Sequence, residues 1–199
     1  VGIKNTATIE NDVAFNTDNK GYFEFDGGDD AILLGDNDIY SFGDGSNDSP
    51  FSVSTWAVIN DAGGDGFSVA NKGRNYQGEW QFYTSTGDKL YWVLYDDSVG
   101  SYGAWSYVIT TDAVTSLEGQ WINIVGTYDG RGGSDANDGL KIYINGAAVA
   151  TTKAEYDTYV ALENTNEPLY LMRWHNNRTA GKVATFSINA KELSATEVL

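Results

Sequence analysis

The stretch Gly119-Gln120-Trp121-Ile122-Asn123-Ile124-Val125-Gly126-Thr127-Tyr128-Asp129-Gly130 runs on, after a polar loop, to Leu140-Lys141-Ile142-Tyr143-Ile144-Asn145-Gly146. Both apolar runs are short, rich in β-branched and aromatic residues, and bounded by Gly, Asp and Asn, which predicts two strands joined by a loop. Period-two alternation puts Ile142 and Ile144 on one face of the second strand and Lys141, Tyr143 and Asn145 on the other. Working outward, the same pattern predicts strands at Gly21–Phe25, Ala31–Leu34, Phe51–Ile59, Gly66–Asn71, Glu79–Thr84 and Lys89–Tyr95. It continues at Trp105–Thr110, Trp121–Tyr128, Leu140–Asn145, Leu169–Arg173 and Val183–Asn189. The intervening clusters, such as Asp26-Gly27-Gly28-Asp29-Asp30 and Gly43-Asp44-Gly45-Ser46-Asn47-Asp48, supply positive-φ positions and Asx turns. Short strands at this spacing predict an all-β sandwich or barrel.

The 199 residues suit one domain with a two-layer core, spanning 1–199 with 1–20 as a lead-in segment. The formal net charge of −16 repels phosphates and anionic lipid, so neither nucleic acid nor a membrane surface is an expected partner. With no cysteine, no disulfide contributes to the fold. No apolar run approaches the ~18 residues that a membrane-spanning helix requires. One helical signal stands near the end. Ser194 and Glu197 have capping-box spacing, and Leu193 is placed to staple onto Val198, giving about one turn.

The faces carry the functional reading. Leu90, Trp92 and Leu94 share one side of their strand, and Tyr91, Val93 and Tyr95 the other. Trp80 and Phe82 oppose Gln81 and Tyr83. An aliphatic-plus-Trp face is expected to form the core, with Trp56, Trp80, Trp92 and Trp121 in it. The tyrosine-and-amide face is expected to stay half-exposed.

Several segments resemble the laminin-G-like, concanavalin A-like jelly rolls. Tyr22-Phe23-Glu24-Phe25-Asp26-Gly27-Gly28-Asp29-Asp30-Ala31-Ile32 is similar to their opening strand and acidic turn. Phe51-Ser52-Val53-Ser54-Thr55-Trp56 resembles the strand that follows. The Gly119–Gly130 and Leu140–Gly146 stretches resemble their Trp-containing strand and its hairpin partner. Ala180-Gly181-Lys182-Val183 through Glu197 resembles the closing strand and short helix. The resemblance implies a two-sheet antiparallel jelly-roll sandwich in an extracellular, cell-surface or virion-associated setting. The fold hosts lectins, adhesion modules, glycanases and lyases, so it does not fix an activity. Ala184 and Thr185 stand where the family commonly has an acidic pair, which weakens its expectation of a structural calcium.

Four chemistries follow. A glycanase of this fold needs paired carboxylates on one strand face; the nearest match, Glu24-Phe25-Asp26-Gly27-Gly28-Asp29, reads as a turn. A lyase needs a base, an arginine and usually a histidine. The single histidine, His175, lies in Arg173-Trp174-His175-Asn176-Asn177-Arg178, which reads as a loop tip. Calcium is the expected cofactor, if any, with hard oxygens at Asp26, Asp29 and Asp30 and at Asp135, Asn137 and Asp138; the plain alternative is turn geometry. For a glycan or polysaccharide partner the candidates are Tyr83, Tyr91, Tyr95, Tyr143, Trp174, His175, Asn176 and Arg178, where rings meet sugar C–H faces and amides meet hydroxyls. The leading expectation is a non-catalytic carbohydrate-binding or adhesion module. The alternatives are a decoration or protein-interaction domain contacting other chains of a larger assembly, and a glycoside hydrolase or polysaccharide lyase.

Overall fold

Alternation becomes two stacked sheets. In chain order the strands are β1 (Thr8–Glu10), β2 (Ala14–Asn16), β3 (Tyr22–Asp26), β4 (Ala31–Gly35), β5 (Phe51–Ile59) and β6 (Ser68–Arg74). Then come β7 (Gln77–Ser85), β8 (Lys89–Asp96), β9 (Ala104–Thr110), β10 (Trp121–Tyr128), β11 (Leu140–Ile144) and β12 (Ala147–Ala148). The last are β13 (Thr151–Tyr156), β14 (Leu169–Leu171), β15 (Arg173–Trp174), β16 (Asn177–Arg178) and β17 (Ala180–Asn189). This computed structural model describes residues 7–63, 66–74, 77–85, 87–99, 103–174 and 177–198.

The eight-stranded front sheet has the order β1-β4-β14-β6-β7-β8-β9-β13, and the seven-stranded back sheet β12-β11-β10-β5-β17-β3-β2. Every pairing in both sheets is antiparallel. Neighbours far apart in sequence, such as β5 with β17 and β4 with β14, are the crossovers of a jelly roll.

The inner faces meet in one core. Phe51, Val53, Ala57, Ile59, Ile122, Ile124 and Tyr128 from the back sheet pack on Trp80, Phe82, Leu90, Trp92 and Leu94 from the front. Phe51 stacks on Phe42 at 4.2 Å and meets Trp92 and Tyr128 edge-on at 5.3 and 6.0 Å. Gly126 makes room for this cluster, since a Cβ there would lie 3.0 Å from the Trp92 ring. Each large side chain so buried contributes about 1.5–3 kcal/mol.

Two of the four tryptophans expected in the core are elsewhere. In β5, Phe51, Val53, Thr55, Ala57 and Ile59 point inward, so Trp56 shares the outward phase of Ser52 and Ser54 and is 45% exposed. In β10, Ile122 and Ile124 take the inner phase and leave Trp121 half-buried outside, beside Tyr22. The sequence reading also passed over β13. Its Thr-Thr-Lys-Ala-Glu-Tyr lacks apolar alternation because it is an edge strand.

Two carboxylates tie distant connections to one end of the sandwich. Asp48 accepts hydrogen bonds from the Tyr128 hydroxyl at 2.6 Å, the Tyr159 hydroxyl at 2.8 Å and the Leu162 amide at 2.7 Å. Glu79 on β7 is fully buried beside Lys72 of β6 at 3.1 Å, and accepts from the Ser41 hydroxyl and the Thr165 amide. At the C-terminus, the Val198 amide closes one turn onto the Ser194 carbonyl at 3.2 Å, as the capping-box spacing predicted. Leu193 and Val198 pack together on Val125 and Tyr143 of the back sheet.

Candidate functional site

Strand alternation delivers a row of rings to the outer face of the front sheet. Tyr83 on β7 is the direct cross-strand partner of Tyr91 on β8, and Tyr107 on β9 opposes Val93 one step along. The rings stack in series: Trp174 on Tyr83 at 5.9 Å, Tyr83 on Tyr91 at 5.2 Å and Tyr91 on Tyr107 at 6.2 Å. The planes of successive rings differ by only 18°, 25° and 19°. Near-parallel rings at these separations overlap as offset stacks, so the inner members of the row cover each other's faces. Burial, and next the neighbouring Tyr107, raises the Tyr91 hydroxyl pKa, so it remains a proton donor through neutral and mildly alkaline pH.

Beside this row, Trp105 stacks on Tyr156 at 4.3 Å, with Tyr95 edge-on to Trp105 at 6.1 Å. Between the two groups lies a shallow depression of about 100 Å³, lined by Tyr83, Tyr91, Val93, Tyr95, Trp105 and Tyr107. That is well below the roughly 300–1,000 Å³ of pockets that enclose a whole drug-sized ligand. A depression of this size has room for one projecting group and not for a whole ligand of that size.

The structure brings Tyr83, Tyr91 and Tyr95 onto one outer face, as the strand faces predicted, and adds Trp174, read in the sequence as part of a loop tip, from β15. Tyr95 is more buried than expected, its hydroxyl donating to Gln81 Oε1 at 2.9 Å. Tyr143 does not join them. It lies on the outer face of the other sheet, buried under Leu193 and Val198. Arg178 sits behind the Trp174 ribbon. Its Nε donates to the Asp29 carbonyl at 3.2 Å and its Nη2 lies 3.6 Å from Glu10. Burial, and then the charge of Arg173, lowers its pKa. His175 and Asn176 lie outside the described residues. Sequence reasoning missed Tyr107 and Tyr156. Tyr107 was legible, being in phase with Trp105 and Ile109, whereas Tyr156 sits in the unrecognised edge strand.

The expected acidic sets separate as well. Asp26, Asp29 and Asp30 each offer a carboxylate oxygen within 4.8 Å of the others, at the turn between β3 and β4. Asp30 is 2% exposed; its Oδ2 accepts from the Asp26 amide at 2.9 Å, and its buried Oδ1 has no hydrogen-bond partner. An unpartnered buried carboxylate oxygen beside two further carboxylates fits a hard cation. Ala180 of β17 pairs with Asp26, so Ala184 and Thr185 lie more than about 10 Å further along that strand. The absent acidic pair therefore does not border this cluster. Asn137 and Asp138 instead fasten a short 3-10 segment to β13, while Asp135 accepts from the neighbouring Ser134 hydroxyl at 3.4 Å. Asp138 pairs with Lys153, and the Asn137 amide donates to the Ala154 carbonyl at 3.5 Å. Lys153 also holds the Asp138 carboxyl pKa below its ordinary value.

The model of the concanavalin A-like lectin/glucanases superfamily matches residues 26–199. A search of curated proteins returned no match. Among solved structures, the receptor-binding domain of the botulinum neurotoxin C/D mosaic serotype is similar at TM-score 0.67 and 20% identity, over 97% of this chain and 45% of that one. The botulinum neurotoxin type G receptor-binding domain gives TM-score 0.64 at 20% identity, over 97% and 44%. The serotype D ligand-binding domain in complex with N-acetylneuraminic acid gives 0.66 at 20%, again over 97% and 44%. The chain thus spans less than half the length of these structures.

Proposed function

The chain belongs to the concanavalin A-like lectin/glucanase superfamily, and from that premise we propose that it is a non-catalytic carbohydrate-binding module. The ligand is an extended glycan lying across the outer face of the front sheet. The observation that carries this reading is the stacked row Trp174, Tyr83, Tyr91 and Tyr107, whose three tyrosines line a depression with room for one projecting sugar substituent. The similar serotype D domain in complex with N-acetylneuraminic acid supports a saccharide ligand. The net charge of −16 favours a neutral polymer over an anionic one. The non-catalytic reading draws support from the two best-placed carboxylates. Glu24 is engaged by Lys182 at 3.3 Å, and Asp26, the last residue of β3, belongs to the acidic cluster with Asp29 and Asp30.

Calcium belongs to the same proposal. Asp26, Asp29 and Asp30 would hold it through their carboxylates, pinning the β3–β4 turn. The module acts outside the cell or on an exposed surface. Among the described residues no helix is long and apolar enough to cross a membrane.

The test is binding to an array of glycans and neutral polysaccharides. Wild-type protein is expected to be retained, and Tyr91→Ala and Tyr107→Ala to weaken retention roughly tenfold each, about 1.4 kcal/mol. Failure of any glycan to bind, or unchanged binding by both variants, sinks the proposal. A decoration or adhesion domain contacting other chains is the second reading, favoured by Tyr156 and Val160, which are 49% and 46% exposed where β13 leaves the front sheet. It predicts that Tyr156→Ser weakens assembly with a protein partner while glycan arrays stay blank.

A further inference from the structure

We propose that the back sheet carries a second saccharide site, built on Trp56, an open groove that takes a neutral pyranose. On the outer face of that sheet Trp56 of β5 opposes Asn123 of β10 on one side and Thr185 of β17 on the other. Trp121 shares this face two residues before Asn123. Asn145, just past β11, is locked to Asn123 by two hydrogen bonds of 2.9 Å, its Oδ1 accepting from the Asn123 amide and its own amide donating to the Asn123 carbonyl. The C-terminal turn supplies the remaining wall through Leu193, Glu197 and Val198. The result is a groove of about 700 Å³. That is ample room for a sugar ring resting against the sheet.

The lining has two complementary halves. Trp56 is 45% exposed, and among the described residues no ring packs on it, whereas Trp121 is already met edge-on by Tyr22 at 5.4 Å. Trp56 therefore offers an open aromatic face of the kind the front-sheet row has closed by self-stacking. Polar groups surround it. Asn123 is 8% exposed, and its Oδ1 is buried without a hydrogen-bond partner. The Asn145 Nδ2 and the hydroxyls of Ser54 and Thr185 line the same groove, with no protein partner among the described residues. A pyranose ring matches this arrangement, with an apolar C–H face for the indole and hydroxyls at its rim for amide and hydroxyl partners. Charge narrows the class. Glu197 is the one ionised residue in the described lining, and Lys191 already pairs with it, so the lining offers no free cation to an anionic sugar.

The two sites differ in what they take. The front face suits part of an extended chain, the groove a whole terminal ring. Titration of the intact protein with methyl α-glucopyranoside, methyl β-galactopyranoside and N-acetylglucosamine, followed by side-chain amide and indole NMR signals, tests the groove. N-acetylneuraminic acid serves as the anionic control. At least one neutral sugar is expected to shift the Trp56 indole and the Asn123 and Asn145 amide signals. Trp56→Ala should weaken that binding at least tenfold, Trp56→Phe less, and Tyr91→Ala not at all, so failure of the front-face reading leaves this one standing. Absence of any shift with the neutral sugars overturns the proposal. So does wild-type affinity in Trp56→Ala, or tighter binding of N-acetylneuraminic acid than of every neutral sugar.

Discussion

Asp48 shows how much a single side chain does in this sandwich. Its carboxylate receives two tyrosine hydroxyls and one backbone amide from segments remote in sequence. Burial is the largest influence on it and raises its pKa, against the lowering effect of the three hydrogen bonds. A raised folded-state pKa means its stabilising contribution is full below the unfolded carboxylate value and declines as pH rises through the folded one. Asp48→Ala leaves three donors without an acceptor and is expected to lower unfolding stability by roughly 3 kcal/mol, read from urea denaturation at pH 7. Asp48→Asn should flatten the pH dependence of stability above the ordinary aspartate value of 3.8 relative to wild type. Glu197 behaves in the opposite sense. Lys191, and then the Ser194 amide and hydroxyl, hold its pKa down from 4.5 to about 2. Its contribution to the C-terminal turn is therefore present above the unfolded value and lost as pH falls toward about 2. Amide exchange at Ser194 and Val198 should accelerate, relative to the intrinsic rate, between pH 5 and pH 2 in wild type, while Glu197→Gln should show no such transition. An unchanged transition in that variant removes Glu197 as the clamp. The capping pair behind this prediction was legible as Ser194 and Glu197 three apart, because a cap is local. Asp48 was not, because its partners arrive from the far end of the chain.

At the scale of elements, legibility followed how strongly each strand is half-buried. The boundaries of β5 and β10 agree with the sequence reading because the inward face of each is mostly apolar and the outward face is not. β13 escaped because an edge strand with neither face in the core has no periodic constraint to display. Trp56 was misplaced for a different reason. Its hydrophobicity points inward, but in β5 the phase set by Phe51 and Val53 puts position 56 outside. The β6–β7 pair presents the converse, a lysine carried into the interior. Lys72 is fully buried, with Nζ 2.8 Å from Asp36 and 3.1 Å from Glu79. Desolvation raises the Glu79 pKa and the Lys72 charge opposes it. Removing the cation alone strands a buried carboxylate, so Lys72→Met is expected to cost about 3–5 kcal/mol at neutral pH. The cost should shrink as pH falls and Glu79 takes a proton. The double variant Lys72→Met with Glu79→Leu should be less destabilised than the two single losses added, because no unpaired charge remains. A double-mutant cycle by denaturant unfolding measures this, and strict additivity would show that the two side chains do not act as a pair.

Over the whole molecule, the jelly-roll class could be read from motif order, but the division of residues between sheets could not. Tyr91 and Tyr143 look equivalent in sequence, each on the polar side of its strand. Long-range pairing places them on opposite outer faces of the sandwich, so the tyrosine set splits into a front row and a covered residue. The same pairing makes Trp56, Asn123 and Thr185 neighbours although each comes from a different third of the chain. Charge is the property that acts on the molecule as a unit. With 28 acidic and 12 basic residues, self-repulsion opposes the folded state, and any salt that screens it raises stability somewhat. A calcium ion at Asp26, Asp29 and Asp30 adds to this only if those carboxylates form a site, and the two effects separate at matched ionic strength. Exposed Asp26 and Asp29 suit the weak 10⁻⁴–10⁻³ M range of extracellular calcium modules. At a concentration one hundred times such a Kd, linkage gives about 2.7 kcal/mol, or roughly 5–10 °C in Tm for a chain of this size. Calcium chloride should therefore raise Tm by that amount beyond sodium chloride of equal ionic strength, reversibly with EDTA. Asp30→Asn should abolish the calcium-specific increment and leave the sodium effect unchanged, since it alters one charge among many but removes the buried carboxylate at the centre of the cluster. Equal shifts from the two salts, or an undiminished calcium increment in Asp30→Asn, would assign these carboxylates to turn geometry alone.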